Sequence, residues 1–244
     1  MDNIVFGIRP VIEAIESGRQ IEKVYVRKGA DGQLLSELKA VCKAQKVHVQ
    51  EVPVEKLNRM TRLNHQGVVA TVSPIVYADL EEILSGVPEG EAGLIVLLDS
   101  ITDVRNFGAI ARSAECVGAH GLVTSLKSSA PVNAEAIKSS AGALNIIPVA
   151  RVGSIRNTLK ALQAEGYQIA AATEKAEQTV YDADLTRPTV VVMGSEDTGI
   201  SKEVLKMCDC QVAIPMKGRI ESLNVSAAAA VILFEVQRQR ICKK

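Results

Sequence analysis

Six short apolar runs alternate with helical segments in the second half of the chain, and this alternation restricts the fold more than any other feature. The runs are Leu94–Leu98, Gly121–Thr124, Ile146–Val149, Gln168–Ala172, Thr189–Met193 and Gln211–Ile214. Strands that are apolar throughout and separated by helices are typical of a parallel sheet covered on both faces. We therefore predict an α/β domain whose helices are Asn106–Val117, Ala134–Ala141, Ile155–Glu165, Lys202–Cys208 and an apolar closing helix from about Leu223 to Arg240.

The first part of the chain has a different order of elements and predicts a second, smaller α/β domain over residues 1–73. Its predicted elements are a helix at Arg9–Ser17, a strand at Lys23–Val26, a helix at Leu34–Lys46 and β-branched runs at Val47–Val52 and Val68–Val72. Residues 74–93 carry five acidic and no basic residues, with several Gly and Pro residues around a short helical piece. We interpret residues 74–93 as an acidic linker and residues 94–244 as the larger domain.

The charge distribution permits a nucleic-acid partner although the formal net charge is zero. Residues 1–73 carry 11 Lys or Arg and 8 Asp or Glu, and residues 94–244 carry 17 and 15. The acidic linker therefore cancels the charge of two mildly basic regions in the net charge of the chain. Neither region contains a dense run of Lys or Arg, so the charge alone does not predict RNA binding. Aromatic residues are only 3% of the chain and Trp is absent, which argues against a platform for stacking single-stranded bases.

Composition also limits the compartment and the metal chemistry. No apolar run is long enough to span a membrane, and the N-terminus lacks the basic and apolar pattern of a signal peptide. The five cysteines are odd in number and lack the CxxC pairs of zinc sites. We expect a cytoplasmic protein with reduced thiols, no membrane partner and no metal.

Three of the predicted strands end in loops rich in glycine and polar residues. These loops follow Leu98, Met193 and Ile214. Because a ligand usually lies beyond the carboxyl ends of the strands in such sheets, we expect the three loops to converge on one site.

The first and third loops contain polar residues whose role could be structural or functional. In LDSITDVRNFGAIARS, Asp103 or Asn106 could cap the next helix, and Arg112 could be an ordinary surface charge. In IPMKGRIESLNVS, Ser222 is interpreted as a helix cap, whereas Asn224 should need a hydrogen-bond partner or a substrate. The helix that follows is so apolar that we expect it to be deeply buried or to pack against a partner subunit.

The second loop, VVVMGSEDTGIS, has the Gly194 and Gly199 spacing of a phosphate-binding loop but lacks its Lys. The chain also contains no GxG, so the dinucleotide-binding fingerprint is absent. These absences argue against an enzyme that uses an ordinary nucleotide on the Gly194 loop. A nucleotide-like ligand would have to be held in another way.

Together, in this order, the three segments resemble the SpoU/TrmH family of RNA ribose 2′-O-methyltransferases, which is part of the SPOUT class. FGIRPVIEAI and NHQGVVATV are similar to the opening and closing segments of that family's substrate-binding domain. With both domains present, the chain most resembles members that methylate a guanosine ribose in bacterial 23S rRNA. A tRNA target, or a non-catalytic RNA-binding protein of the same fold, stays open as an alternative.

The resemblance implies several properties that composition and spacing do not show. They are a parallel sheet flanked by helices with a C-terminal trefoil knot, a homodimer, a structured RNA substrate and S-adenosylmethionine as the cofactor. By motif, the cofactor contacts fall at Thr173, Gly194, Ile214 and Leu223, and the active-site positions at Asn106, Arg112, Glu196, Ser222 and Asn224. Two residues depart from the family pattern, Val104 where Pro is usual and Asp197 where Gly is common.

From these positions we expect Arg112 to hold a phosphate or the 2′-oxygen, because an arginine guanidinium is a strong hydrogen-bond donor and a poor general base. Glu196 could orient Arg112 through a bidentate pair, while Ser222 and Asn224 fix the loop. Candidate RNA-phosphate contacts in the first domain are Arg9, Lys23, Arg27, Lys28, Arg59, Arg62 and His65. For any one of these seven taken alone, a solvated surface residue is the favoured interpretation.

Overall fold

Two separate sheets form, one in each of two units that divide the chain between Val76 and Tyr77. They are seen in a computed structural model that describes residues 4–242. The predicted arrangement of a smaller and a larger α/β unit is therefore present in the structure.

The N-terminal unit contains a four-stranded mixed sheet. Its elements are β1 (Ile4–Phe6), α1 (Ile8–Glu16), β2 (Ile21–Arg27), α2 (Gln33–Ala44), β3 (Val49–Val52), α3 (Val54–Met60) and β4 (Val68–Val72). The strand order is β1-β4-β2-β3; β2 and β3 are parallel, and β4 is antiparallel to both of its neighbours.

The two faces of this sheet are covered by different helices. Helices α1 and α2 pack on one face, where Val24 and Val26 of β2 contact their apolar sides. The short helix α3 covers the other face through Leu57, which packs with Val52 and Val69. The sequence prediction missed β1 and α3, because both are too short to show a clear period.

The C-terminal unit has the predicted alternation of strands and helices. Its elements are α4 (Leu80–Ser85), β5 (Leu94–Asp99), α5 (Val104–Cys116), β6 (Gly121–Ser125), α6 (Ala134–Ser139), a 3-10 turn (Ala143–Asn145), β7 (Val149–Val152), α7 (Ile155–Ala164), β8 (Gln168–Ala172), β9 (Thr189–Gly194), α8 (Lys202–Leu205), β10 (Cys210–Val212) and α9 (Val225–Cys242).

All six strands of this unit are parallel, in the order β10-β8-β9-β5-β6-β7. Every residue of the central strands β5 and β9 is buried, as expected for a sheet covered on both faces. The fold-class prediction of a parallel sheet flanked by helices is confirmed.

The predicted strand Ile146–Val149 is wrong in its position. The strand begins at Val149, because residues 143–145 form a 3-10 turn and Pro148, which has no N–H to donate, comes directly before the strand. Helix α8 is also shorter than predicted, since Met207 and Cys208 donate to carbonyls three residues back and tighten the turn.

Residues 77–93, interpreted from the sequence as part of a linker, lie within the C-terminal unit. Helix α4 begins with a capping box, in which the side chains of Asp79 and Glu82 accept hydrogen bonds from each other's backbone amides. Its Ile83 is 1% exposed and packs in the same apolar cluster as Ile95 and Val123. The acidic side chains of this segment face solvent, while its apolar side chains are part of the core.

The cysteines within the described residues are all unpaired. Burial raises the pKa of the Cys208 thiol to about 12 and that of Cys42 to about 11, so both are protonated at neutral pH. Residues 4–242 contain no cluster of three or more His, Cys, Asp or Glu side chains that could hold a metal ion. In the same part of the chain, no helix is both long enough and apolar enough to cross a membrane.

Candidate active site

A cavity of about 500 Å³ lies at the carboxyl ends of β8 and β9. Three segments form its walls, residues 172–175 after β8, residues 193–200 after β9 and residues 214–225 before and at the start of α9. This volume is in the range of small-molecule sites, and the position is the one expected for a ligand of a parallel sheet.

The wall after β9 is a tight hairpin. Ser195 and Gly199 exchange two backbone hydrogen bonds, of 3.2 and 2.9 Å, and Ser195 Oγ accepts from the backbone amide of Thr198 at 3.1 Å. Glu196 and Asp197 therefore stand at the tip of a closed turn rather than on a free loop.

Gly194 is required at the base of this hairpin. A Cβ built on Gly194 would overlap the backbone of Gly199 and Ile200. Because backbone atoms cannot rotate away as a side chain can, the hairpin returns close to β9 only with glycine at this position.

The side-chain amide of Asn224 connects two of the walls with the first turn of α5. Its Nδ2 donates to Asn106 Oδ1 at 3.0 Å and to Glu196 Oε1 at 2.5 Å. Its Oδ1 accepts from the backbone amide of Ser226 at 3.0 Å. The expectation that Asn224 needs a hydrogen-bond partner is confirmed, and the partners are two of the predicted active-site residues.

Asn224 also takes the capping role that the sequence assigned to Ser222. Helix α9 begins at Val225, and a side-chain oxygen that accepts from the amide two residues on is typical of an N-cap. Ser222 lies two residues further from the helix; it is exposed and lines the cavity instead.

The loop after β5 is held by two carboxylates. Asp103 caps α5 by accepting from the amide of Asn106 at 2.8 Å, which leaves the Asn106 side chain available for Asn224. The buried Asp99 accepts from the backbone amide of Ser201 at 2.8 Å and so ties the end of β5 to the start of α8. The three predicted loops are joined, although the first does not itself line the cavity.

The predicted pairing of Arg112 with Glu196 is not formed. Arg112 is exposed and has no hydrogen bond or ion pair within residues 4–242, and Glu196 binds Asn224 and the amide of Val225 instead. Arg112 is six residues beyond Asn106 on α5, so the two side chains leave the helix in different directions.

All four residues predicted to contact the cofactor line the cavity, namely Thr173, Gly194, Ile214 and Leu223. The sequence analysis missed Glu174, Lys175 and Glu221, which also line it. The position of Glu174 and Lys175 directly after β8 could have indicated them, since other strand ends form the site.

The candidate RNA-binding residues occupy several parts of the N-terminal unit. Arg27 and Lys28 are exposed at the end of β2, and Arg59 and Arg62 are exposed on and after α3. Arg9 forms an exposed ion pair with Glu37, 3.5 Å apart, and Lys23 is partly buried and has other interactions.

His65 has both ring nitrogens engaged. Its Nδ1 accepts from the amide of Gly67 at 2.9 Å, so the other nitrogen carries the proton and donates to Asn58 Oδ1, also at 2.9 Å. The imidazole therefore ties the loop before β4 to α3. In the structure His65 shapes the loop that carries Arg62.

Family comparisons cover both units. The SpoU rRNA methylase family matches residues 93–234, and a family described as RNA 2′-O ribose methyltransferase substrate binding matches residues 4–78. A Staphylococcus haemolyticus protein assigned to the TrmH family of tRNA/rRNA methyltransferases is 34% identical over 240 residues, covering 98% of this chain and 96% of that protein.

Two solved structures with bound cofactor are similar over both units. The SpoU methyltransferase AviRb from Streptomyces viridochromogenes in complex with S-adenosylmethionine has a TM-score of 0.64 and 31% identity, covering 98% of this chain and 90% of that one. An rRNA methyltransferase from Sinorhizobium meliloti with bound S-adenosylmethionine has a TM-score of 0.62 and 26% identity, covering 97% and 87%.

The residues of the cavity fit this cofactor. Met193, Ile214 and Val225 offer apolar contacts for an adenosine, and Glu174 and Asp197 offer negative charge for a sulfonium and an ammonium group. Within the described chain, residues 214–223 make no backbone hydrogen bonds to other backbone groups, so their amides and carbonyls can bind the polar edge of a base.

Gly194→Ala should disrupt the cofactor site. Overlap with the returning backbone should destabilise the protein by about 1–3 kcal/mol and displace the hairpin, so affinity for S-adenosylmethionine falls at least about tenfold. Gly153→Ala is the matched control, because a Cβ there meets no atom within 4 Å. Calorimetric titration and urea unfolding measure both effects; unchanged binding and stability in Gly194→Ala would contradict the close approach.

Proposed function

Because the chain belongs to the SpoU family of RNA methyltransferases, whose cofactor is S-adenosylmethionine, we propose that it methylates a ribose 2′-hydroxyl, with a guanosine in 23S rRNA as the preferred target. The observation that carries this proposal is the Asn224 amide, which joins Asn106 and Glu196 beside the cofactor cavity. The match of the N-terminal unit to an RNA 2′-O ribose methyltransferase substrate-binding family supports the ribose as the target.

The chemistry needs an oxygen nucleophile placed in line with an electrophilic carbon. S-adenosylmethionine supplies the electrophilic methyl group when bound. The protein's part is to position the 2′-oxygen and to stabilise the negative charge that develops on it. The Asn224 network fixes the two walls beside which this oxygen must lie, and Ser222 lines the same cavity.

Arg112 is the residue that we assign to the ribose or its phosphate. Its guanidinium is exposed and has no partner within residues 4–242, so five N–H donors are free to bind an oxygen anion. A guanidinium donates hydrogen bonds and accepts none, so Arg112 acts as an electrostatic group rather than as a base. Glu196, which binds Asn224, positions the loop and does not orient Arg112.

Arg112→Ala should abolish methyl transfer and leave the affinity for S-adenosylmethionine within about twofold, because Arg112 does not line the cavity. Arg156→Ala, which removes an exposed arginine of α7, is the control. The measurements are calorimetric binding and mapping of ribose methylation in total RNA from cells that carry the wild type, the variant or neither.

The methylation map also separates the possible targets. Loss of one 2′-O-methylguanosine in 23S rRNA without the protein, and its return with wild type alone, is the expected result. If cells without the protein lose a ribose methyl group of a tRNA instead, the target is a tRNA and not 23S rRNA. No change in ribose methylation would refute the proposed reaction. A loss of cofactor binding in Arg112→Ala would refute the role of Arg112.

We assign RNA binding to the N-terminal unit, with the phosphate contacts at Arg27, Lys28, Arg59 and Arg62. These four cations are exposed, two at the end of β2 and two on and after α3. Arg27 borders the loop before β4, because its amide donates to the carbonyl of Gly67 at 2.8 Å. Arg9, Lys23 and His65 stay weaker candidates, because each already has a partner within the unit.

The double variant Arg59→Gln/Arg62→Gln should weaken RNA binding and lower the slope of log affinity against log salt by about 1 for each phosphate that the variant no longer binds. Lys43→Gln is the control, since Lys43 is on α2, which covers the opposite face of the sheet. Filter binding of an rRNA fragment between low and moderate salt measures the slope. An unchanged slope would mean that RNA phosphates contact residues other than Arg59 and Arg62.

We also propose the homodimer and the trefoil knot that are characteristic of SPOUT enzymes. Helix α9 supports the dimer, because Ala227, Val231, Phe234 and Ile241 recur at the spacing of one helical face and include side chains that are up to 64% exposed. For the knot, the chain leaves the edge strand β10 and returns to pack α9 against α5 and β9.

Phe234→Glu should convert the dimer to a monomer, because a charge buried in an apolar interface costs more than the contact contributes. Sedimentation analysis gives the mass directly. Leu63→Glu, at an exposed leucine of the N-terminal unit, should stay dimeric. A monomeric wild type, or a dimeric Phe234→Glu, would exclude this face as the interface.

A further inference from the structure

The lining of the cavity carries an excess of negative charge. Its ionisable lining residues are four acids and one base: Glu174, Glu196, Asp197, Glu221 and Lys175. Lys175 Nζ lies 3.9 Å from Glu174 Oε1, so these two charges offset each other. Glu196 is bound by the Asn224 side chain and the Val225 amide.

Asp197 and Glu221 are left without a counter-charge. Within residues 4–242 neither carboxylate has an ion pair or an accepted hydrogen bond, and both line the cavity. The backbone at Asp197 is held, because the residue stands at the tip of the hairpin that the Ser195 and Gly199 backbone bonds close. A carboxylate on a backbone that is already ordered acts on a ligand's charge at a reduced cost in conformational entropy.

The charge of the bound molecule changes during the reaction. S-adenosylmethionine carries a sulfonium, an ammonium and a carboxylate, for a net charge of +1. Transfer of the methyl group leaves the sulfur as a neutral thioether, so the product S-adenosylhomocysteine has no net charge. A negative cavity therefore attracts the cofactor more than the product.

We propose that Asp197, assisted by Glu221, sets the selectivity of the cavity for the cationic cofactor over its neutral product. The proposal rests on the proposed function only in taking S-adenosylmethionine as the cofactor. Asp197 is then a specificity-determining residue that favours cofactor loading and product release. The carboxylates act through solvent-exposed charge, so each should contribute about a two- to fivefold preference, the range of exposed ion pairs.

The test measures the affinities of S-adenosylmethionine and S-adenosylhomocysteine separately by calorimetry, on the full chain and without RNA. In Asp197→Asn the affinity for S-adenosylmethionine should fall about two- to fivefold, while that for S-adenosylhomocysteine changes by less than about 1.5-fold. Asp197→Asn/Glu221→Gln should lower the cofactor preference further. Glu203→Gln, at an exposed acid of α8 outside the cavity lining, should leave both affinities unchanged.

The dependence of ligand affinity on salt concentration is an independent test of this charge effect. Raising the ionic strength should weaken wild-type binding of the cofactor and leave product binding nearly constant, and this difference should shrink in Asp197→Asn. Equal loss of both ligands would make Asp197 a structural residue, and no loss of either would mean that its charge is screened; each result overturns the proposal. Because no RNA is present, these outcomes are independent of which RNA atom is methylated.

Discussion

The side-chain amide of Asn224 is the interaction on which the site depends. It donates to Asn106 and Glu196 and accepts from the start of α9, so one residue joins segments that lie 118 and 28 positions away in the chain. A hydrogen bond to a charged group contributes about 1.5–3 kcal/mol, more than a neutral one, so the Glu196 contact is the stronger of the two. Without the amide, the Glu196 carboxylate would lose its side-chain donor and the two walls would be free to separate.

Close backbone packing brings the partners of Asn224 within reach. Gly194 lets the hairpin of Glu196 fold back against β9, and Gly108 does the same for the helix that carries Asn106. A Cβ at Gly108 would overlap Ser139 Oγ and approach the carbonyl of Ala136, so α5 lies against α6 only because this residue is glycine. Close packing at these two glycines therefore sets the geometry of the site. It brings the segments that carry Glu196 and Asn106 near enough for their side chains to bind Asn224.

The sequence predicted the strands and helices of the C-terminal unit and the residues that line the cofactor cavity well, and the side-chain contacts among them less well. Apolar runs such as Thr189–Met193 report burial directly, which is why the central strands were found, while the strand near Pro148 was misplaced because apolar character alone does not fix where pairing begins. Thr173, Gly194, Ile214 and Leu223 line one cavity, as their motifs implied. The Arg112 pairing was wrong because spacing does not give the direction in which a side chain leaves its helix. The Ser222 cap was wrong because α9 begins only at Val225, with Asn224 as its cap.

Helix α9 connects this site to the rest of the C-terminal unit at its other end. Gln239 binds the amide of Leu185 and the carbonyl of Ala183, and Arg240 donates to the carbonyls of Ala92, Gly93 and Arg187. The chain before Ala183 also pairs with the residue that precedes the third wall of the cavity, because Val180 donates to the carbonyl of Ala213 at 2.8 Å. The helix is thus anchored at both ends to parts of the same cavity frame. The exposed face of α9 bears Phe234 between these anchors. In the proposed homodimer, a partner seated on this face would stiffen the helix that Asn224 caps, so dimer formation and cofactor binding would stabilise each other.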